Sequence, residues 1–130
     1  MTLLGRTMML SKIHRATVTD ANLDYVGSIT LDQELMRAAG LLENQQVDVL
    51  NVTNGSRLTT YAMPGPAGSG VVAVNGAAAH LAAVGDTVIV VAYGLVDEAS
   101  AAACRPRVVF VDDRNRPAAA PAAPGAGAGR

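Results

Sequence analysis

The chain has 130 residues, a formal net charge of −1, and a composition that is 50% hydrophobic but only 3% aromatic. That length holds one domain with a modest core built mostly from Val, Ile, Leu and Met, and the lack of any basic run disfavours nucleic acid and anionic membrane as partners. No apolar stretch nears the ~18 residues that span a bilayer, the N-terminus lacks a signal-peptide apolar region, and the single Cys104 can build no disulfide framework, so a cytoplasmic protein is expected.

In chain order, Arg6 to Thr19 alternates and reads as one or two extended segments, and Asp20-Ala21-Asn22 as a turn. Tyr25 to Leu31 has a strand pattern. Asp32 can cap a short helix from Gln33 to Ala39 that Gly40 ends. Val47 to Thr53 and Arg57 to Met63 flank Asn54-Gly55, a strong hairpin signal. Pro64 to Gly70 is a loop, Val71 to Val74 a short buried strand, and Asn75-Gly76 a second turn. Ala77 to Leu81 forms a helical turn, and Val84-Gly85-Asp86 turns again. Thr87 to Tyr93 is an apolar run without alternation, as in a strand buried on both sides. Asp97 to Ala103 suggests another short helix and Arg107 to Asp112 a last strand.

Six or more short strands with Gly-rich turns and only short helices predict a mainly β fold, a small closed barrel. The barrel domain is placed at residues 1–116. The last fourteen residues, Pro117 to Arg130, are seven Ala, three Pro, three Gly and one Arg. With no large side chain to bury, this tail is expected to be disordered.

The chemistry centres on Gly27-Ser28. Glycine inside a strand pattern is costly and marks a bulge or a close approach to the backbone. No phosphate-binding glycine loop is present, since no helix pattern follows Gly65, Gly68 and Gly70. His14 and His80 are not spaced as metal ligands on one element, so no metal is expected. On these residues alone Ser28 is either a strand serine beside a bulge or a reacting group.

Three motifs carry a resemblance: YxGS around Gly27-Ser28, NVTNGxR followed by TTYA from Asn51 to Ala62, and VNGAAAH from Val74 to His80. In this order and spacing, from about Arg6 to about Pro117, the chain resembles the pyruvoyl-dependent aspartate decarboxylases, which make β-alanine for pantothenate. Val26 stands where some members carry an acidic residue. The resemblance implies a double-psi β-barrel assembled as a homotetramer. It also implies self-cleavage between Gly27 and Ser28 into segments 1–27 and 28–130. The Ser28 hydroxyl would attack the Gly27 carbonyl, an N→O acyl shift would give an ester, and elimination followed by loss of ammonia would leave a pyruvoyl group. That ketone would form a Schiff base with L-aspartate and act as the electron sink for decarboxylation. It does the work of pyridoxal phosphate, which is not expected in a chain without a phosphate cradle.

The resemblance also assigns roles. Ser28 is the pyruvoyl precursor and Tyr61 the proton donor, a weak phenolic acid. Gly27, Ser28, Thr60 and Tyr25 take part in processing, with Thr60 polarising the Gly27 carbonyl. Arg57, whose planar fork matches a carboxylate, binds substrate with Thr60, Lys12 and His14. Asn75, Gly76, Ala77 and Ala78 form a substrate-binding loop with accessible N–H groups. Thr60 and Tyr61 alternate on an ideal strand, so both serve one site only if the strand twists or the site lies between subunits. A helper protein for maturation is among the partners this implies. Two other readings stay open: a hydrolase using Ser28 as a free N-terminal nucleophile, and a non-catalytic barrel acting as an interaction module.

Overall fold

The computed structural model describes residues 2–121. β1 (Gly5–Thr17) is the longest strand, and period-two alternation sets its faces. Ile13 is fully buried, so Lys12 and His14 lie on the opposite face. A bulge between Ile13 and Ala16, with Arg15 at φ +63°, resets the alternation and returns Ala16 to the interior.

Asp20–Asn22, expected as a turn, is a strand, β2, paired parallel with β6 (Val72–Asn75). The physical reason is the other edge of β6. Its buried N–H and C=O groups need partners, and β2 supplies them. Thr19 begins the contact by donating its N–H to the Val72 carbonyl at 2.8 Å.

β3 is shorter than the strand pattern predicts. It begins at Ser28 and runs to Asp32, because Tyr25 and Val26 are 67% and 81% exposed and bury nothing. Asp32 then caps α1 (Gln33–Ala39) by accepting from the Glu34 N–H, and Gly40 ends it at φ +70°. β4 (Gln46–Asn51) and β5 (Arg57–Gly65) form the expected antiparallel hairpin. A 3-10 helix spans Gly76–His80. β7 (Thr87–Asp97), the short α2 (Glu98–Ala101), β8 (Arg107–Val111) and β9 (Pro117–Ala118) follow. β9 pairs with β8, so regular pairing reaches two residues into the tail expected to be disordered; the tail beyond residue 121 lies outside the described residues.

The strands form one sheet in the order β2-β6-β3-β5-β4-β7-β1-β8-β9. Ile29, Val74, Val49, Val90, Ile13 and Val109 belong to a single buried cluster although they come from strands along the whole sheet. The sheet therefore curls around one aliphatic core, with α1 adding Leu35, Met36 and Ala39. The fold is mainly β with short helices, as expected, but the ladder of the expected closed barrel does not return to its first strand. β1 runs on into β2 and so links distant parts of the ladder by chain continuity. Isolated contacts brace this seam. Val18 N–H donates to Asp86 O at 2.9 Å, and buried Asn115 joins Thr17 to Gly70 through its side-chain amide.

Candidate active site

Ser28 opens β3 on the face opposite the core, because Ile29 and Leu31 point inward and are fully buried. It is nevertheless only 6% exposed. β3 pairs antiparallel with β6, which sets Asn75 directly across from Ser28. The Asn75 side-chain amide donates to Ser28 Oγ at 3.1 Å and to Thr30 Oγ1 at 3.1 Å, and the Asn22 amide reaches Asn75 Oδ1 at 3.5 Å. The hydroxyl oxygen of Ser28 is thus fixed by a buried amide that is itself oriented from a second strand. Thr30 and Asn22 went unnoticed in the sequence. Thr30 had a signal, since it lies two residues after Ser28 and so on the same face; Asn22 had none, because nothing local announces a parallel pairing with β6.

The residues before Ser28 are arranged differently. Gly27 is not at a positive φ, and a Cβ built on it would meet only the Asn75 carbonyl oxygen, at 3.9 Å. The glycine under constraint is Gly76. It sits at φ +70°, and a Cβ there would fall 2.7 Å from Gly27 Cα, 2.9 Å from Gly27 N and 3.1 Å from Tyr25 O. Tyr25 is too exposed to be a core residue. Ala77 is exposed, Ala78 packs against the core, and His80 is exposed at the end of the 3-10 helix.

On the other side of β3 runs β5, in parallel register with Ile29 opposite Ala62. Extending that register one step toward the start of β3 sets Tyr61 on the strand beside Ser28, whereas Gly27 lies in the bend before β3, outside the paired ladder. Ala62 is fully buried, so Tyr61 shares the outer face with Ser28 while Thr60 lies on the inner parity with Leu58. Arg57 shares the Tyr61 face but sits four residues earlier, about 13 Å along the strand, and is exposed.

Lys12 and His14 are not brought to this corner. β1 is four strands from β3 in the sheet, roughly 19 Å around its surface. They do share the outer face, since pairing runs from Lys12 through Val91 and Asp48 to Thr59. Asp48 accepts from the Thr59 hydroxyl. Lys12 is only 8% exposed and has no ion pair among the described residues. His14 packs edge-on against Phe110 with centroids 5.7 Å apart, and its buried Nδ1 has no hydrogen-bond partner among the described residues. Burial, then the charges of Lys12 and Arg15, hold the imidazole below its ordinary pKa and so favour its neutral form at pH 7.

A family model described as aspartate decarboxylase matches residues 4–118. A protein of Carboxydothermus hydrogenoformans described as aspartate 1-decarboxylase is 58% identical over 110 residues, covering 85% of this chain and 87% of that protein. Another of the same description, from Heliobacterium modesticaldum, is 58% identical over 113 residues, covering 87% of this chain and 86% of the relative.

Proposed function

The chain belongs to the aspartate decarboxylase family, and from that premise we propose that it converts L-aspartate to β-alanine and carbon dioxide with a pyruvoyl group made from its own Ser28. The observation that carries this reading is the buried Ser28 hydroxyl, held by Asn75 and set one strand from Tyr61. Ser28 Oγ is thereby held by one buried amide, Asn75, which Asn22 in turn braces.

The residues fit the making of such a group. Ser28 Oγ attacks the Gly27 carbonyl carbon; the O–C bond forms, the C–N bond breaks, and the nitrogen takes the proton, leaving an ester. Loss of the Ser28 α-proton expels Gly27 as a carboxylate. Water then adds at the α-carbon and ammonia leaves. To Thr60, two residues before Ala62 on β5, we assign the role of donor to the carbonyl under attack. Asn75 keeps Oγ in one position, which lowers the entropic part of the barrier.

The finished ketone supplies a carbonyl that takes up the substrate amine and accepts the electron pair left when carbon dioxide departs. Tyr61, on the same face, holds the proton that the substrate carbon receives. Arg57 presents a planar fork to a substrate carboxylate. Lys12 and His14 lie too far around the sheet to join the Ser28 of their own chain. We assign them to the site of a neighbouring copy, within a homotetramer whose sites lie between subunits. A buried lysine without an ion pair among the described residues fits a role in receiving a substrate anion. Cytoplasmic residence and a place in pantothenate synthesis complete the proposal, and a helper protein for maturation is compatible with it.

Intact mass under denaturing conditions tests it. Segments 1–27 and 28–130 should appear with a summed mass about 1 Da above the uncut chain, because water is gained and ammonia lost. A sum about 18 Da higher would mean hydrolysis alone and favour an N-terminal serine nucleophile. An uncut chain would overturn the reading for this chain acting alone.

A further inference from the structure

The glycine requirement of the processing corner falls on Gly76, across the strand pair, and not on Gly27 beside the bond. Gly27 has room for a methyl group, with its nearest neighbour at 3.9 Å, whereas a Cβ on Gly76 would overlap the backbone of Gly27 and crowd that of Tyr25. All three atoms met at Gly76 are backbone, so no side chain can rotate away to make room. Asn75, the preceding residue, holds Ser28 Oγ. The dipeptide therefore grips both sides of the Gly27–Ser28 bond: Asn75 fixes the hydroxyl, and the bare Cα of Gly76 lets the chain entering β3 lie against the end of β6.

We propose that Gly76 is a positioning residue for self-cleavage, its missing side chain setting where Gly27 lies relative to the Ser28 hydroxyl. The proposal rests on the reading that Gly27–Ser28 is cleaved. A Cβ at position 76 pushes Gly27 outward, while Ser28 stays tied to Asn75 and to the β3–β6 ladder. Oγ and the carbonyl carbon then leave the short approach that ring closure needs.

Gly85 provides the control. It has φ +93°, so a side chain there suffers a comparable left-handed strain, but nothing lies within 4 Å of its Cβ position. Gly76→Ala and Gly85→Ala therefore share the strain and differ in the contact. Asn tolerates the left-handed region better than Ala, so Gly76→Asn and Gly85→Asn repeat the comparison with less cost to folding.

The experiment follows cleavage of full-length chains by intact mass over time, alongside melting temperature, with hydroxylamine added to release any ester at Gly27. Gly76→Ala and Gly76→Asn should cleave at least about tenfold more slowly than the matched position-85 variant, with no hydroxylamine-released fragment. Cleavage at the matched rate, or accumulation of ester in the Gly76 variants, would overturn the proposal; ester would place the block after the acyl shift. If Gly76→Ala is insoluble, the Asn pair decides by the same criterion. An uncut wild-type chain would instead defeat the reading of Gly27–Ser28 as a cleavage site, so the two failures are distinct.

Discussion

Two regions of one sheet face differ in how far a single chain finishes them. At the β3–β6 corner, Ser28, Asn75, Thr30 and Asn22 are linked side chain to side chain, and Tyr61 stands one strand away. On β1, four strands further round, Lys12 has no ion pair and His14 Nδ1 is buried with no partner, both among the described residues. A buried cation and an unsatisfied buried nitrogen both carry a desolvation cost. On the proposed function, the Ser28 corner is self-contained for cleavage, whereas the β1 surface is a half-site that the Ser28 of a neighbouring copy completes. Cleavage is, on that proposal, assembled within one chain, while binding of a dianionic substrate draws on a second.

A loss of turnover that leaves cleavage intact should come from Tyr61. In Tyr61→Phe the chain should still cut itself, because processing uses the Ser28 corner, while turnover falls by ~10²–10⁴ through loss of a positioned acid. Paired mass and carbon dioxide assays check this; full turnover would remove Tyr61 from the proton-donor role.

The half-site idea has its own test. Lys12→Ala and Ser28→Ala chains should each be inactive alone. Unfolded together and reassembled in equal amounts, they should regain about a quarter of wild-type turnover, since a quarter of the sites would draw Ser28 from one variant and Lys12 from the other. No recovery from a mixture shown to contain both chains would mean that one chain supplies both residues to its site, and would overturn the half-site assignment.

Away from both regions, Asp32 sharpens the contrast by acting purely on the scaffold. Its carboxylate, 1% exposed, accepts from the N–H groups of Glu34, Gly68 and Gly70. Burial pushes its pKa upward, but the donors at Gly70, Glu34 and Gly68, with the Arg116 charge, outweigh this and hold it below 3.8. The folded state thus favours the ionised form. That contribution is complete above the unfolded pKa and is lost as pH falls through the folded one. Asp32→Asn should cost about 1–3 kcal/mol near neutral pH, with a gap to wild type that narrows below pH 3.8, as denaturant melts at several pH values would show.

The smallest effect concerns His14. Its pKa is lowered, so neutral imidazole is favoured in the fold, and its share of stability is present above 6.5 and lost as pH falls. Its titration followed by NMR should have a midpoint below 6.5, and Lys12→Met should move that midpoint upward by removing a nearby charge. An unmoved midpoint would mean the two side chains do not share the outer face as neighbours.

Much of this was legible in the sequence because it is local. Asp32 and Gly40 bound α1 through capping chemistry that acts within a few residues. The Asn54-Gly55 hairpin joins neighbours in the chain. The motif residues Ser28, Tyr61, Asn75 and Arg57 could be named by resemblance before any geometry was known. The strand assigned to Tyr25–Leu31 began three residues too early, since β-propensity at Tyr25 and Val26 is overridden when neither finds a surface to bury.

Where the chain extends, turns and caps, and which side chains could react, are local properties readable from the amino-acid order, since they depend on backbone sterics and hydrogen bonds within a few residues. Tertiary structure decided what meets what. It made a strand of Asp20–Asn22, brought Asn75 across from Ser28, kept Lys12 away from it, and moved the steric demand from Gly27 to Gly76. Each of these follows from pairing between residues tens of positions apart. Such pairing is selected by burial of one shared core and by the need to satisfy every buried backbone group, conditions that hold for the whole fold and for no short stretch of it.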